Sequence, residues 1–378
     1  MRFTAQILLA AAVSLLIAPS RTQAIEVVLD YTYDSSAFFN PATTSGQQAR
    51  APVQAAADFY TEILEDTFSA IETPDPYVGQ VSTQTWTWDL TFSNPSGSGQ
   101  VTLTDQSIAA DEYRVYVGAQ PISGSAIAFG GPGGWSFSGS TDGPGYFPDE
   151  LAEVQQIGAA FSDAVQNRGE PNGFANWGGA ITFDTGASWH FDHTASPTPG
   201  TSDVFSVALH ELVHAFGFGT SDEWNALLSG TSFLGPASVN AYSGLPPVDE
   251  DGGHWEDGIQ STVFGGTSSQ EVLMDSATQS GTRMQLTLLD AAALTDIGWT
   301  VVEPEPSSLP GDYNDDGLVD AADYTIWRDN LGGPTPMGTY LEWSANYGSS
   351  APTSSIPEPS ATLLAAVALS IGCLARVR

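Results

Sequence analysis

The stretch that most limits how this chain folds runs from Val204 to Gly217, VFSVALHELVHAFG, an apolar run interrupted only by Ser206, His210, Glu211 and His214. A helix that is apolar almost all round is expected to be buried on every side. Two imidazoles in such a helix each leave a ring nitrogen in an apolar place, at a cost of ~1–3 kcal/mol unless something binds it. Positions i and i+4 project from one face about 6 Å apart, so both rings can grip one cation. Glu211 lies about 100° further round the axis, which turns its carboxylate toward an open side of that cation. The H-E-x-x-H order therefore predicts a metal site with a base beside it; a hydrogen-bonded pair of core histidines is the competing reading.

Charge removes several alternatives. Forty-four acidic residues face nine basic ones, all arginine, for a net charge of −35. Such a surface repels nucleic acid and anionic lipid and favours divalent cations. The single cysteine, Cys373, lies near the C-terminus. A chain trimmed there has no thiolate or disulfide, and any metal must sit on His, Asp or Glu.

A distant residue can reach the same cation only if the helix breaks soon after His214. Gly217 and Gly219 supply the left-handed backbone that ends a helix. The completed pattern, His210, Glu211, His214 and Gly217 as HExxHxxG, resembles the metzincin zinc proteases. Most of those carry a third His or Asp ligand where this chain has Thr220. The histidines left are His190, His193 and His254. His254 lies in GGHWEDGI, followed by EVLMD and by TLLDAAALTDIGW. This arrangement resembles the leishmanolysin branch of the metzincins, in which an insertion separates the zinc helix from its third histidine. The resemblance implies His254 as third zinc ligand, Met274 as the methionine-turn residue and Thr287 to Trp299 as the closing helix. It does not extend to the cysteine framework of the eukaryotic members. Asp222 and Glu223 are alternative ligands, the latter giving a gluzincin-like site, and Met274 as ordinary core filler is the alternative for the turn. His190 and His193 flank Asp192 in WHFDH; they suit either a solvated strand edge or a second, structural ion held with Asp184.

Zinc held by three neutral imidazoles keeps its double charge and an open position for water. Glu211 is then the general base, and the expected reaction is hydrolysis of peptide bonds in a protein or peptide substrate. No tyrosine lies between Leu273 and Trp299, so no side chain is assigned to oxyanion stabilisation. The alternative is a non-catalytic, calcium- and zinc-stabilised cell-surface or matrix protein. Glu211 favours catalysis, because a structural zinc is closed by four ligands and has no use for a base. A calcium-dependent adhesin would leave the histidine pair unexplained.

Hydropathy patterning places a strand at 25–33, an amphipathic helix at about 48–71, and strands at TWTWDLTF and EYRVYVGA. The glycine-rich stretch FGGPGGWSFSGS leads to a second helix, PDELAEVQQIGAAFSDAV. GGAITFDTGASWHFDH then reads as a hairpin turning at Thr185-Gly186. This order predicts an α+β or α/β layout with a mixed sheet; together with it, the metzincin resemblance implies an α+β, metzincin-like zincin with a mixed twisted sheet and a buried active-site helix, over residues 25–302. A small α module with an EF-type loop follows a proline-rich linker at 303–310.

That module, 311–350, carries Asp312, Asn314, Asp316, Gly317, Asp320 and Asp323 at positions 1, 3, 5, 6, 9 and 12 of a calcium loop, with the Leu318 carbonyl at position 7. With the helix after it, AADYTIWRDNLG, it resembles one dockerin repeat, which implies Ca²⁺ and a possible cohesin-like partner; a calcium-clamped spacer is the plainer reading. Residues 1–24 have Arg2, an apolar run and Thr22-Gln23-Ala24, and read as an export signal peptide. Residues 356–378 combine Pro357-Glu358-Pro359, a short apolar run and terminal arginines, and resemble the PEP-CTERM sorting tail, which implies an exosortase-type enzyme as partner. A simple C-terminal anchor is the alternative. The expected destination is outside the cell or at the cell envelope.

Overall fold

Both faces of EYRVYVGAQ are apolar, and the architecture follows from covering them. This strand, β5 (Glu112–Gln120), is central in a sheet whose order is β1 (Glu26–Asp30), β5, β8 (Gly178–Asp184), β6 (Ala128–Pro132). The first three are parallel, and β6 is an antiparallel edge. Tyr113, Val115, Val117 and Ala119 of β5 share one core with α1 (Thr44–Ile63) and α3 (Val204–Ala215). On the other face, Tyr116 meets Trp86, Trp88, Leu90 and Phe92 of β3 (Thr83–Ser93), whose alternating pattern buries one side of a second sheet. In that sheet β3 pairs with β7 (Gly134–Asp142) along one edge and with β2 (Tyr77–Val78) and β4 (Gln100–Thr104) along the other. Helix α2 (Pro148–Asn167) adds Val154, Phe161 and Val165 to this second core. Each such side chain taken out of water contributes ~1.5–3 kcal/mol. The result is a mixed α and β fold compatible with the expected α+β class.

The computed structural model describes residues 25–170, 173–277, 279–303, 311, 313, 319–329 and 340–349. The chain divides into two compact units, Met1–Pro304 and Glu305–Arg378. The expected export segment, the sorting tail, residues 304–310 of the linker, and Asp312, Asn314, Asp316, Gly317 and Leu318 of the calcium loop lie outside the described residues. After α3 the first unit continues through α4 (Asp222–Ala226), a short hairpin of β11 (Leu228–Ser229) and β12 (Ser232–Phe233), and α5 (Pro236–Tyr242). A second hairpin, β13 (Gln260–Thr262) with β14 (Ser269–Glu271), precedes α6 (Leu288–Asp296). The second unit holds α7 (Ala321–Asp329) and α8 (Tyr340–Asn346).

Two expectations are corrected. Residues 178–193 do not form a hairpin: β8 lies inside the sheet, and the chain leaves it to pair β9 (Trp189–His190) in parallel with β10 (Ser202–Asp203). At the bend, Asp184 accepts from Gly186 N and from Ile122 N, which ties it to a different segment. The glycine-rich stretch at 129–140, to which the hydropathy pattern assigns no element, forms most of β6 and β7. The helix expected at about 48–71 begins at Thr44, capped by Thr43, and stops at Ile63. Beyond it the chain extends, with Leu64 bridged to Val301 and Ile71 to Ile108.

Candidate metal centre

Helix α3 is held on all sides, as its apolar pattern requires. Asp203 caps its N-terminus through Ser206 and forms an ion pair with Arg283, 2.8 Å away. Tyr60 Oη donates to Leu209 O at 2.9 Å, and Trp299 Nε1 donates to Phe216 O at 2.8 Å. These buried donors fix the helix that carries His210, Glu211 and His214, each less than a tenth exposed.

The turn after α3 determines what reaches the two rings. Gly217 and Gly219 have φ of 101° and 70°, the left-handed region that glycine enters without strain. A Cβ on Gly219 would run into the Gly253 carbonyl, so the segment bearing His254 lies directly against the helix end. There His254 Nε2 lies 3.3 Å from His210 Nε2 and 3.1 Å from His214 Nε2. A tetrahedral zinc with Zn–N bonds of ~2.1 Å sets its ligand nitrogens ~3.4 Å apart, so the separations fit one ion.

The other ring nitrogens decide the tautomers. His210 Nδ1 is 2.8 Å from Leu273 O, and His214 Nδ1 is 2.9 Å from Phe218 O. A carbonyl only accepts, so both Nδ1 atoms carry hydrogen and both Nε2 atoms present lone pairs. His254 Nδ1 faces Asp249 Oδ2 at 3.4 Å, the carboxylate–histidine arrangement that orients metal ligands. The three Nε2 atoms thus converge, with the lone pairs of His210 and His214 facing the His254 ring. Burial, and then the neighbouring imidazoles, keeps His210 well below the usual histidine range and His214 at about 4. The two rings of α3 are therefore ready to bind a cation at neutral pH.

Glu211 and the three histidines line one cleft of about 670 Å³. Its walls include Ala128, Phe129 and Gly130 of β6, Val207 of α3, and Ser276 and Ala277 beyond the methionine. Gly130 passes so close to α3 that a Cβ would clash with the Glu211 carbonyl. Burial raises the Glu211 carboxyl from 4.5 to about 8. No tyrosine or arginine lines the cleft among the described residues.

Met274 is fully buried, and its carbonyl accepts from Trp255 N at 3.0 Å. Asp222 and Glu223 occupy the first turn of α4 and belong to none of the ligand groups found among the described residues. Neither do His190, His193 and Asp184. His190 Nε2 bonds the Asp192 carbonyl at 2.8 Å, His193 stacks on Phe205, and Asp184 caps backbone amides. Thr220 Oγ1 donates to the His214 carbonyl.

No family model, curated protein or solved structure matches this chain. The site therefore rests on its own geometry. Two contributors are not singled out by the sequence reading: Asp249, five residues before His254, and Asp290 at the start of α6. The capping pattern T-L-L-D at Thr287 to Asp290 is the signal for the second. In the second unit, Asp323 is fully buried and accepts from Tyr313 N and Asp320 N, both at 2.7 Å.

Proposed function

We propose that this protein is an exported zinc-dependent endopeptidase of metzincin type. The observation that carries the reading is the convergence of three Nε2 atoms, 3.1–3.3 Å apart along the two measured edges, in a cleft that Glu211 also lines. His210, His214 and His254 would hold the zinc, which when bound supplies a double positive charge that acidifies water and polarises a carbonyl. Glu211 then accepts the proton of the attacking water and delivers it to the leaving amine as the peptide bond breaks.

Edge strand β6 supports a peptide substrate in particular. Among the described strands it pairs only with β8, so its outer edge offers backbone groups to an extended chain beside Glu211. The acidic loop of the second unit is proposed to bind Ca²⁺ through Asp312, Asn314, Asp316, the Leu318 carbonyl, Asp320 and Asp323, with a cohesin-like partner or a spacer role beyond that. An exosortase-type enzyme is the proposed partner of the C-terminal tail.

Glu211→Gln tests the catalytic reading. The variant should keep the zinc content of the parent and lose casein cleavage by at least about 100-fold, the lower range for a positioned base. Cleavage at the parental rate by a zinc-loaded variant would remove Glu211 as the base, and a zinc-loaded parent that cleaves nothing would favour the non-catalytic, metal-stabilised class.

A further inference from the structure

We infer that Asp290 is a positioning residue of the metal centre, a buried anion that locks the third-ligand loop and the methionine turn into one unit. The inference rests on the metal reading above and concerns how the ligand set is assembled.

Asp290 is fully buried in the first turn of α6 and touches no histidine. Its Oδ1 accepts from Trp255 Nε1 at 3.0 Å and from Met274 N at 3.2 Å. Its Oδ2 accepts from Leu273 N and Thr287 N, both at 2.9 Å, and from Thr287 Oγ1 at 2.7 Å. Five donors and no cation meet one carboxylate, far more than a helix cap needs. The cap itself uses only Thr287.

The remaining three partners lead to the metal ligands by short covalent paths. Trp255 follows His254 directly, so fixing its indole fixes the backbone from which the third imidazole projects. Leu273 offers the carbonyl that holds the His210 Nδ1 hydrogen, and its own N–H is bound by Asp290. Trp255 N in turn bonds the Met274 carbonyl, which closes the ring of contacts. One carboxylate thereby governs the place of His254 and the orientation of His210, two of three ligands, from segments 35 and 17 residues away in sequence. Groups behind the ligands commonly alter metal affinity 10–100-fold when removed.

The test uses the whole protein. Zinc affinity is measured against a chromophoric chelator, and the visible spectrum of the cobalt form reports ligand geometry. D290N keeps the shape but places an amide hydrogen-bond donor among N–H groups; it should bind zinc about tenfold more weakly or worse and change the cobalt spectrum. W255F removes a single donor and should shift both readouts in the same direction by less. It also decides the question if D290N does not fold. W177F is the control for general stability, because Trp177 Nε1 bonds Gly134 O at 2.9 Å in the second core, away from the ligand loops. It should lower the melting temperature and leave zinc affinity and cobalt spectrum unchanged. Parental affinity and spectrum in D290N and W255F, or an equal loss in W177F, overturns the inference while leaving the metal reading intact. A parent protein that takes up neither metal overturns both.

Discussion

Glu211 is a carboxylate in a place that resists its charge, and that has a measurable consequence in metal-free protein. Its folded pKa of about 8 lies above the ordinary 4.5, so between those values the folded state holds a proton that the unfolded state has released. Stability contributed by the protonated group is present below 4.5 and is lost as pH rises toward 8. Glu211→Gln removes this titration. The metal-free variant should therefore gain on the metal-free parent by about 1.4 kcal/mol per pH unit across the window and level off above it. Urea midpoints at pH 5, 6.5 and 8 check this; a constant difference would contradict it. A bound divalent cation draws the same pKa down, so the metal-loaded pair should show a smaller slope.

The end of α3 and the segment at Gly253 meet where two backbones are nearly in contact. Gly219→Ala adds both a left-handed strain of ~1–2 kcal/mol and a Cβ against the Gly253 carbonyl. The variant should lose that much stability in a denaturant titration and bind zinc more weakly, because His254 is displaced; loss of stability with unchanged zinc affinity would separate the two segments. Much of this site is legible in the sequence where spacing is local. His210, Glu211 and His214 share one helix face, and the glycines after them announce the break. His254 was reachable because few histidines remain and its sequence setting resembles a known arrangement. The Leu273 carbonyl, the edge strand β6 and the Asp290 cage are not legible, since each depends on which segments pack together across tens of residues; the Phe218 carbonyl is near in sequence, but its place depends on the turn geometry after α3. The same limit explains the hairpin expected at 178–193: alternation around Thr185-Gly186 suggested pairing, but β8 finds its partners in β5 and β6.

The whole chain carries a net charge of −35, and among the described residues the acid-base side chains lining the cleft are Glu211 and the three histidines. Cationic peptides should be drawn in and anionic ones turned away. Raising salt from about 20 to 500 mM, which shortens the screening length several-fold, should lower kcat/KM for a cationic peptide by up to about tenfold and raise it for an anionic one. Salt effects of the same sign on both would contradict the steering. The second unit makes a separate prediction. Calorimetric titration of the zinc-loaded protein with Ca²⁺ should show one site that Asp323→Ala removes, and no binding at millimolar Ca²⁺ would remove calcium from the account.

At the metal centre, imidazoles from two segments are proposed to meet on one ion. Elemental analysis of purified protein after dialysis against a weak chelator tests it most directly. One zinc per chain is predicted for the parent and much less than one for His254→Ala, with the variant still folded by circular dichroism. A parent without zinc, or a folded His254→Ala that retains a full equivalent, would contradict it.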